Sequence, residues 1–155
     1  MTKEIVIPNK YLNETLALKT ELEKNYILLS ERLYNIFTER YWDKAGYGSF
    51  DEFLMELRMS RQTASKLITI YRIYIVEKKV ALTQLLSVRS WESLYLARSL
   101  ATTPEKTQEV VESCAVMSQH DVRELVVDDK ECEGHDFYEM RVCRNCGHKE
   151  MIYKD

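Results

Sequence analysis

The C-terminal part of the chain contains a group of residues that could bind a metal ion. Two residues separate Cys132 from His135, and two residues also separate Cys143 from Cys146. Three of the four cysteines lie in this segment, and such clustering is typical of zinc sites in proteins from reducing compartments. Three thiolates and one imidazole complete a tetrahedron around Zn2+ without leaving a position for water. The spacing therefore predicts a structural zinc ion, with His148 as the alternative to His135.

Strand-like sequences must position the second pair of these ligands. Residues 137–142 and 149–153 have strand-like composition and flank Cys143 and Cys146, so we expect residues 128–155 to form a β-hairpin zinc knuckle. Residues 128–139 contain six Asp or Glu side chains and one Lys, which phosphate groups would repel. The tail is therefore expected to stabilise the protein or to contact a protein partner, although Arg144 leaves a DNA contact open.

The charge of the chain is unevenly distributed. The formal net charge is −3, but residues 58–98 contain eight Lys or Arg side chains against two Glu. The flanking segments are acidic, with seven basic residues against ten acidic ones in residues 1–57 and seven against thirteen in residues 99–155. A basic segment between acidic ends is typical of a surface that binds a polyanion. A solvated helix face without a ligand is the alternative.

The sequence of residues 1–127 predicts a helical domain. Gly and Pro are scarce, with four and two residues, and no run reaches the roughly 18 apolar residues of a membrane span. Ser49 and Glu52 have the spacing of a capping box, and Thr103 precedes Pro104 as a cap and a first-turn proline. We expect helices over about residues 10–42, 50–58, 61–78, 90–100, 103–117 and 118–127, after a short extended arm at residues 5–7.

The first of these helices has two interpretations. Apolar residues recur along it at spacings of three and four: Leu22, Tyr26, Leu29, Leu33 and Ile36. The run covers only about two heptads, whereas a coiled coil needs three or four. We therefore expect a packed first helix, with a homodimer seam as the alternative. Cys114, which is alone in a helical segment, is expected to be a buried thiol.

Residues 49–78 have the pattern of a helix-turn-helix. Apolar residues occupy the positions that this motif buries, namely Phe53, Leu57, Met59, Ala64 and Leu67. The opposite face of the second helix carries residue types that contact base edges and phosphates, and spacings of three and four place them on one side. The expected DNA-binding residues are Arg61, Gln62, Ser65, Lys66, Thr69 and Arg72, with Lys78, Lys79 and Arg89 as phosphate contacts. The alternative is an ordinary amphipathic helix pair.

Part of the chain resembles the helix-turn-helix portion of ParB/KorB-type partition and regulatory proteins. The resemblance rests on residues 47–54, on residues 59–68 (MSRQTASKLI) and on residues 118–125 (SQHDVREL), and it covers about residues 47–127. It implies a DNA-binding helical domain, and similar segments occur in small phage and plasmid proteins. The nucleotide-binding domain of ParB has no counterpart upstream, and the zinc knuckle is not part of the ParB pattern.

These features predict a mainly α-helical, cytoplasmic protein in which residues 1–127 bind double-stranded DNA and residues 128–155 hold zinc. We expect a regulator or accessory protein of a phage- or plasmid-like element. No enzyme is predicted, because no phosphate loop, nucleophile–base set or pair of carboxylates occurs at a suitable spacing. The alternative is a helical adaptor, such as a replication, defence or counter-defence factor, whose zinc hairpin docks onto a protein partner.

Overall fold

The computed structural model describes the backbone of residues 6–128, 139–142 and 149–152, and the side chains of residues 10–127. The described part is mainly helical, as the composition predicts. Its eight α-helices are α1 Val6–Thr38, α2 Tyr41–Lys44, α3 Phe50–Glu56, α4 Arg61–Ile70, α5 Leu82–Leu85, α6 Trp91–Leu96, α7 Pro104–Val116 and α8 Gln119–Asp128. A π-helical segment, Tyr71–Glu77, continues α4, and a 3-10 turn, Ala97–Ser99, continues α6. Two antiparallel strands follow, β1 Glu139–Val142 and β2 Lys149–Ile152.

The N-terminal boundaries differ from the prediction in two places. Val6 and Ile7 belong to α1 and not to an extended arm. The first helix also ends earlier than expected, because Arg40 adopts a left-handed conformation with φ at 52° and separates α1 from the short helix α2. The glycine-containing turn at residues 45–48 therefore follows a second helix, and α5 is a further short helix that the sequence pattern did not predict.

Side-chain caps set the start of four helices where the sequence predicts them. The hydroxyl groups of Ser49, Ser60, Thr103 and Ser118 accept hydrogen bonds from backbone amides three residues later, at 3.1 to 3.2 Å. The capping box at α3 differs in one bond, since the Glu52 carboxylate accepts from the amide of Gly48, at 2.6 Å, and not from that of Ser49. Each cap satisfies an amide that the first helical turn leaves without a partner.

The core of the helical domain forms where α1 packs along α4. The buried residues of α1 include Ile27, Ser30 and Leu33, and all three have no exposed surface. On α4 the corresponding face is formed by Ala64, Leu67 and Ile70. Helices α6, α7 and α8 complete the core with their own buried residues, Trp91, Leu94, Val110, Val111, Cys114 and Val122.

The helix predicted for residues 61–78 has the expected extent but changes geometry at Tyr71. In the π-helical segment the Lys78 amide donates to the Ile73 carbonyl at 2.9 Å, a spacing of five residues. Tyr74 lies in this segment and is fully buried, and its hydroxyl donates to the Leu94 carbonyl at 2.8 Å. Burial raises the pKa of Tyr74 well above its ordinary value, so the hydroxyl remains a hydrogen-bond donor that ties this segment to α6.

A buried carboxylate links α1 to the start of α6. Ser90 makes no side-chain cap at this helix. The Glu23 carboxylate instead accepts a hydrogen bond from the Trp91 amide at 2.9 Å, across 68 residues of sequence. Glu23 is only 6% exposed and is also paired with Lys19. A tertiary contact therefore takes the place of a local side-chain cap by Ser90.

Among the helices of the described residues, none has both the length and the apolar character that a membrane span requires.

We expect Glu23→Ala to lower the free energy of unfolding by about 2–3 kcal/mol, because hydrogen bonds to charged groups are the stronger ones and the Trp91 amide would lose its buried partner. Urea denaturation followed by circular dichroism measures the loss. Glu21→Ala is the matched control, since Glu21 is exposed on the same helix, and it should change stability by less than about 0.5 kcal/mol. Equal effects of the two substitutions would contradict the role of Glu23.

Candidate nucleic-acid interface

Helices α3 and α4 are joined by a turn of four residues, 57–60, whose geometry depends on Arg58. The φ angle of Arg58 is 52°, which is the left-handed region where glycine is favoured. This is the position at which a helix-turn-helix often has glycine. The turn is closed by hydrogen bonds from the Arg58 amide to the Met55 carbonyl and from the Met59 amide to the Leu54 carbonyl, both 3.0 Å.

The residues that α3 buries differ from the prediction by part of a helical turn. Phe50 and Leu54 are the buried residues of α3, whereas Phe53 is half-buried and Leu57 is 43% exposed. The prediction of Leu57 as an internal residue is therefore wrong. The Ser49 cap starts the helix at Phe50, and Leu57 already lies in the turn that follows it. On α4, Ala64 and Leu67 are fully buried, as predicted.

The outer face of α4 and of the π-helical segment that continues it is open to solvent and carries the predicted DNA-binding residues. Arg61, Gln62, Ser65 and Arg72 are exposed, and Lys66 and Thr69 are half-buried. The Arg61 guanidinium pairs with the Asp51 carboxylate of α3, and the Arg72 guanidinium lies 3.4 Å from the Glu77 carboxylate. Both ion pairs are more than 45% exposed on each side, so these arginines can exchange their partners for phosphate or base acceptors at little cost.

A cation–aromatic cluster flanks this outer face on the side of α6. The ring of Tyr95 has the Arg98 guanidinium carbon 3.9 Å from its centroid and the Lys66 ammonium nitrogen 5.5 Å from it. Arg98 also donates to the Tyr95 carbonyl at 2.5 Å. The contacts orient both cations beside the outer face of α4. The sequence prediction did not include Tyr95 or Arg98, and no local signal could have found them, because α6 reaches Lys66 only in the folded chain.

The three residues that the sequence predicts as phosphate contacts lie at different places on the domain. The Lys78 ammonium donates to the Thr102 carbonyl at 3.0 Å, and Lys79 is exposed with φ at 58°. The Arg89 guanidinium donates to the Val116 carbonyl at the end of α7, at 3.0 Å. Arg89 lines a cleft with Lys19 and Lys24 of α1. The structure therefore places Arg89 beside α1 and α7, and it brings Lys66 and Arg98 together.

The predicted zinc ligands Cys132, His135, Cys143 and Cys146, with the alternative His148, lie outside the described residues. Cys114 is fully buried, as predicted, and burial raises the pKa of its thiol to about 12. The thiol is therefore protonated at neutral pH.

Within the described residues, one further group has metal-ligand chemistry, namely His120, Asp121 and Glu124 on α8. All three side chains are exposed. The Asp121 carboxylate accepts from the hydroxyl of Ser118 at 2.7 Å, and hydrogen bonds from Ser118 lower the pKa of Asp121. The Asp121 carboxylate is thus already used in hydrogen bonds to Ser118 at the start of α8.

No family profile, no curated protein and no solved structure matches this chain.

The turn geometry can be tested at Arg58. We expect Arg58→Gly to raise the free energy of unfolding by roughly 0.5–1 kcal/mol, because the left-handed conformation costs a non-glycine residue about 1–2 kcal/mol and glycine loses more chain entropy on folding. Arg58→Val, at the same position, should lower stability, since a β-branched side chain is most strongly disfavoured there. Thermal or urea unfolding measures both, and a Val variant as stable as the Gly variant would contradict the turn conformation.

Proposed function

We propose that the chain binds double-stranded DNA, with α4 as the recognition helix in the major groove. The observation that carries the proposal is the division of α4 into two faces. One face is buried against α1, and the opposite face presents Arg61, Gln62 and Ser65 to solvent, with Thr69 half-buried beside them. These are the side-chain types that donate to guanine, pair with adenine or contact phosphates.

The start of α4 favours its N-terminal end as the part that approaches base edges. Ser60 caps the helix, and the exposed Arg61 and Gln62 lie in its first turn. Recognition helices contact bases chiefly through their N-terminal residues. Arg61, Gln62 and Ser65 would therefore read bases, and Thr69 and Arg72 would lie farther along the groove.

Lys66 and Arg98 would contact the DNA backbone beside the groove. Their positions around Tyr95 place two positive charges side by side, and Lys78, which directly follows the π-helical segment, donates a hydrogen bond to the Thr102 carbonyl. Cations held in place lose less side-chain entropy when they bind phosphate than free surface lysines do. Such contacts set the position of the protein and the dependence of binding on salt, without selecting a sequence.

The likeness to ParB/KorB-type helix-turn-helix segments supports the same proposal. It favours a regulator or accessory protein of a phage- or plasmid-like element. Arg58 takes the left-handed backbone conformation at the turn position where the motif often has glycine.

We also propose a structural zinc ion bound by Cys132, Cys143, Cys146 and either His135 or His148. The proposal rests on the donor set and its spacing. It is supported by the pairing of β1 with β2, in which Val142 is opposite Lys149, because Cys143 directly follows the first of these residues in sequence. Zinc in a small element of this kind supplies the free energy that orders it.

The DNA proposal predicts that Arg61→Ala combined with Lys66→Ala weakens binding to a selected duplex at least tenfold, since a bidentate base contact is worth about 1–3 kcal/mol. The slope of log K against log salt should also fall by about one for each lost phosphate contact. Fluorescence anisotropy over a salt series measures both quantities, after selection of the preferred duplex from a random pool.

The matched control removes the same charge from the opposite side of the domain. Lys10→Ala combined with Arg32→Ala changes two exposed residues of α1, and it should leave the affinity and the salt slope within about twofold of the unchanged chain, because distant surface charges are screened. Equal losses in the two double variants would mean general charge attraction and would refute α4 as the recognition helix. No duplex binding at about 50 mM salt, where phosphate contacts are strong, would favour the adaptor function.

The zinc proposal predicts about one zinc ion per chain in reduced protein, measured by native mass spectrometry. Cys143→Ser should remove the ion or make it readily extractable by a chelator, since a thiolate ligand is lost. Cys114→Ala is the control, because the Cys114 thiol is buried in the helical domain, and it should retain the metal. Zinc content that is unchanged by Cys143→Ser would refute this ligand set.

A further inference from the structure

A cleft of about 450 Å³ lies between α1 and the turn that joins α5 to α6. We call it the cationic cleft, because Lys19, Lys24 and Arg89 are among the residues that line it. Its volume is within the range of sites that hold small molecules, roughly 300–1,000 Å³. Among the described residues, none of α4 or α6 lines the cleft. The cationic cleft is therefore separate from the proposed recognition surface.

The turn that forms one wall of the cleft is held in place by α7. The Arg89 amide donates to the Cys114 carbonyl and the Arg89 guanidinium donates to the Val116 carbonyl, both at 3.0 Å. Leu85, at the end of α5, and Val88 are buried in the core. The opposite wall belongs to α1. Both walls are thus parts of the folded domain, and a ligand would find the cleft already formed.

The three cations of the cleft keep hydrogen-bond donors for a ligand. Lys24 is half-buried and makes no ion pair within the part of the chain that the structure describes. The Lys19 side chain pairs with Glu23 but is 59% exposed, and an ammonium group has three donors. The exposed Arg89 guanidinium bonds the neutral Val116 carbonyl, and a guanidinium has five donors.

Acidic groups near the cleft do not balance these charges. The Glu23 carboxylate pairs with Lys19, is only 6% exposed and also accepts from the Trp91 amide. The Asp121 carboxylate, which lies near enough to Arg89 for the two charges to attract, is bonded to the hydroxyl of Ser118 at 2.7 Å. The described lining contains three cations and no carboxylate, so the cleft attracts an anion.

The rest of the lining is largely apolar. Leu16 is 65% exposed and Leu86 is half-buried. The two hydroxyl groups in the lining are used locally, since Thr20 donates to the Leu16 carbonyl at 2.9 Å and Ser87 donates to the Gln84 carbonyl at 2.6 Å. The cations are therefore the donors that remain. Cations beside apolar surface suit a ligand that joins a phosphate group to an apolar or aromatic part.

We propose that the cationic cleft binds a nucleoside phosphate, either free or as part of a nucleic-acid strand. The phosphate would lie at Lys24 and Arg89, with Lys19 as a third cation, because a guanidinium can bond two phosphate oxygens at once. A phosphate group carries more negative charge and more acceptor oxygens than a carboxylate does, which fits three cations better. The nucleoside would pack on Leu16 and Leu86. The proposal does not depend on DNA binding by α4.

Isothermal titration calorimetry of the full chain with adenosine diphosphate, at about 50 mM salt, tests the site. We expect saturable binding with a dissociation constant below about 1 mM. Lys24→Ala combined with Arg89→Gln should raise this constant at least about tenfold, because two charge-assisted contacts are lost. Glutamine at position 89 keeps an amide donor beside the end of α7, and circular dichroism verifies that the double variant is folded.

The matched control is Lys10→Ala combined with Arg32→Ala, which removes the same charge from exposed positions of α1 that do not line the cleft. It should leave the dissociation constant within about twofold of the unchanged chain. Equal losses in the two double variants would overturn the site. Arg61→Ala combined with Lys66→Ala should also leave the binding of adenosine diphosphate unchanged, so a failure of the cleft and a failure of the recognition helix are distinguishable.

Two further ligands separate the sources of the phosphate. If the ligand is a nucleic-acid strand, the cleft variant should weaken a single-stranded oligonucleotide of about six nucleotides, and adenosine diphosphate should not bind. If neither affinity depends on Lys24 and Arg89, the proposal is wrong. Pyrophosphate lacks the nucleoside and should bind at least about fivefold more weakly than adenosine diphosphate, since it leaves the apolar lining uncovered. Equal affinities for these two ligands would overturn the assignment of a nucleoside to the cleft.

Discussion

The packing of α1 along α4 is the constraint on which the rest of the structure depends. Ser30 on α1 and Ala64 on α4 are both fully buried, and small side chains at a helix contact allow the two backbones to approach closely. Once Ala64, Leu67 and Ile70 face α1, helical geometry leaves only one direction for the polar side chains of α4. The chemistry of the outer face is therefore a consequence of which residues α1 covers.

Contacts from the rest of the core fix the orientation of α4, but they contribute no side chains to its outer face. The Tyr74 hydroxyl holds the π-helical end of this helix against α6, and Glu23 ties the start of α6 to α1. The two contacts close a triangle of α1, α4 and α6. Within that triangle Tyr95 comes next to Lys66, and the cluster with Arg98 follows from it. A rigid support of this kind would favour the proposed recognition surface, because side chains held in place lose little entropy on binding.

Helix α1 has two halves with different surroundings. Its second half contributes Ile27 and Leu33 to the core, whereas residues 10–22 are exposed throughout. The apolar repeat that the sequence shows, beginning at Leu22 and ending at Ile36, is mostly used within the chain, since Leu33 is buried and Tyr26, Leu29 and Ile36 are half-buried.

The sequence by itself determined the features that depend on local interactions. Ser49, Ser60 and Thr103 start their helices where predicted, because a capping hydroxyl bonds an amide only three residues away. The mainly helical class, the buried Cys114 and the polar outer face of α4 follow in the same way from composition and periodicity.

Only the tertiary structure decided which apolar residues are internal. Leu54 is buried and Leu57 is exposed, since the choice depends on what packs against α3. Tertiary structure also decided the cap of α6 by Glu23, the π-helical segment, the cluster around Tyr95 and the exposed half of α1. Each of these joins or exposes residues that are distant in sequence, and their energies depend on neighbours that no local pattern specifies.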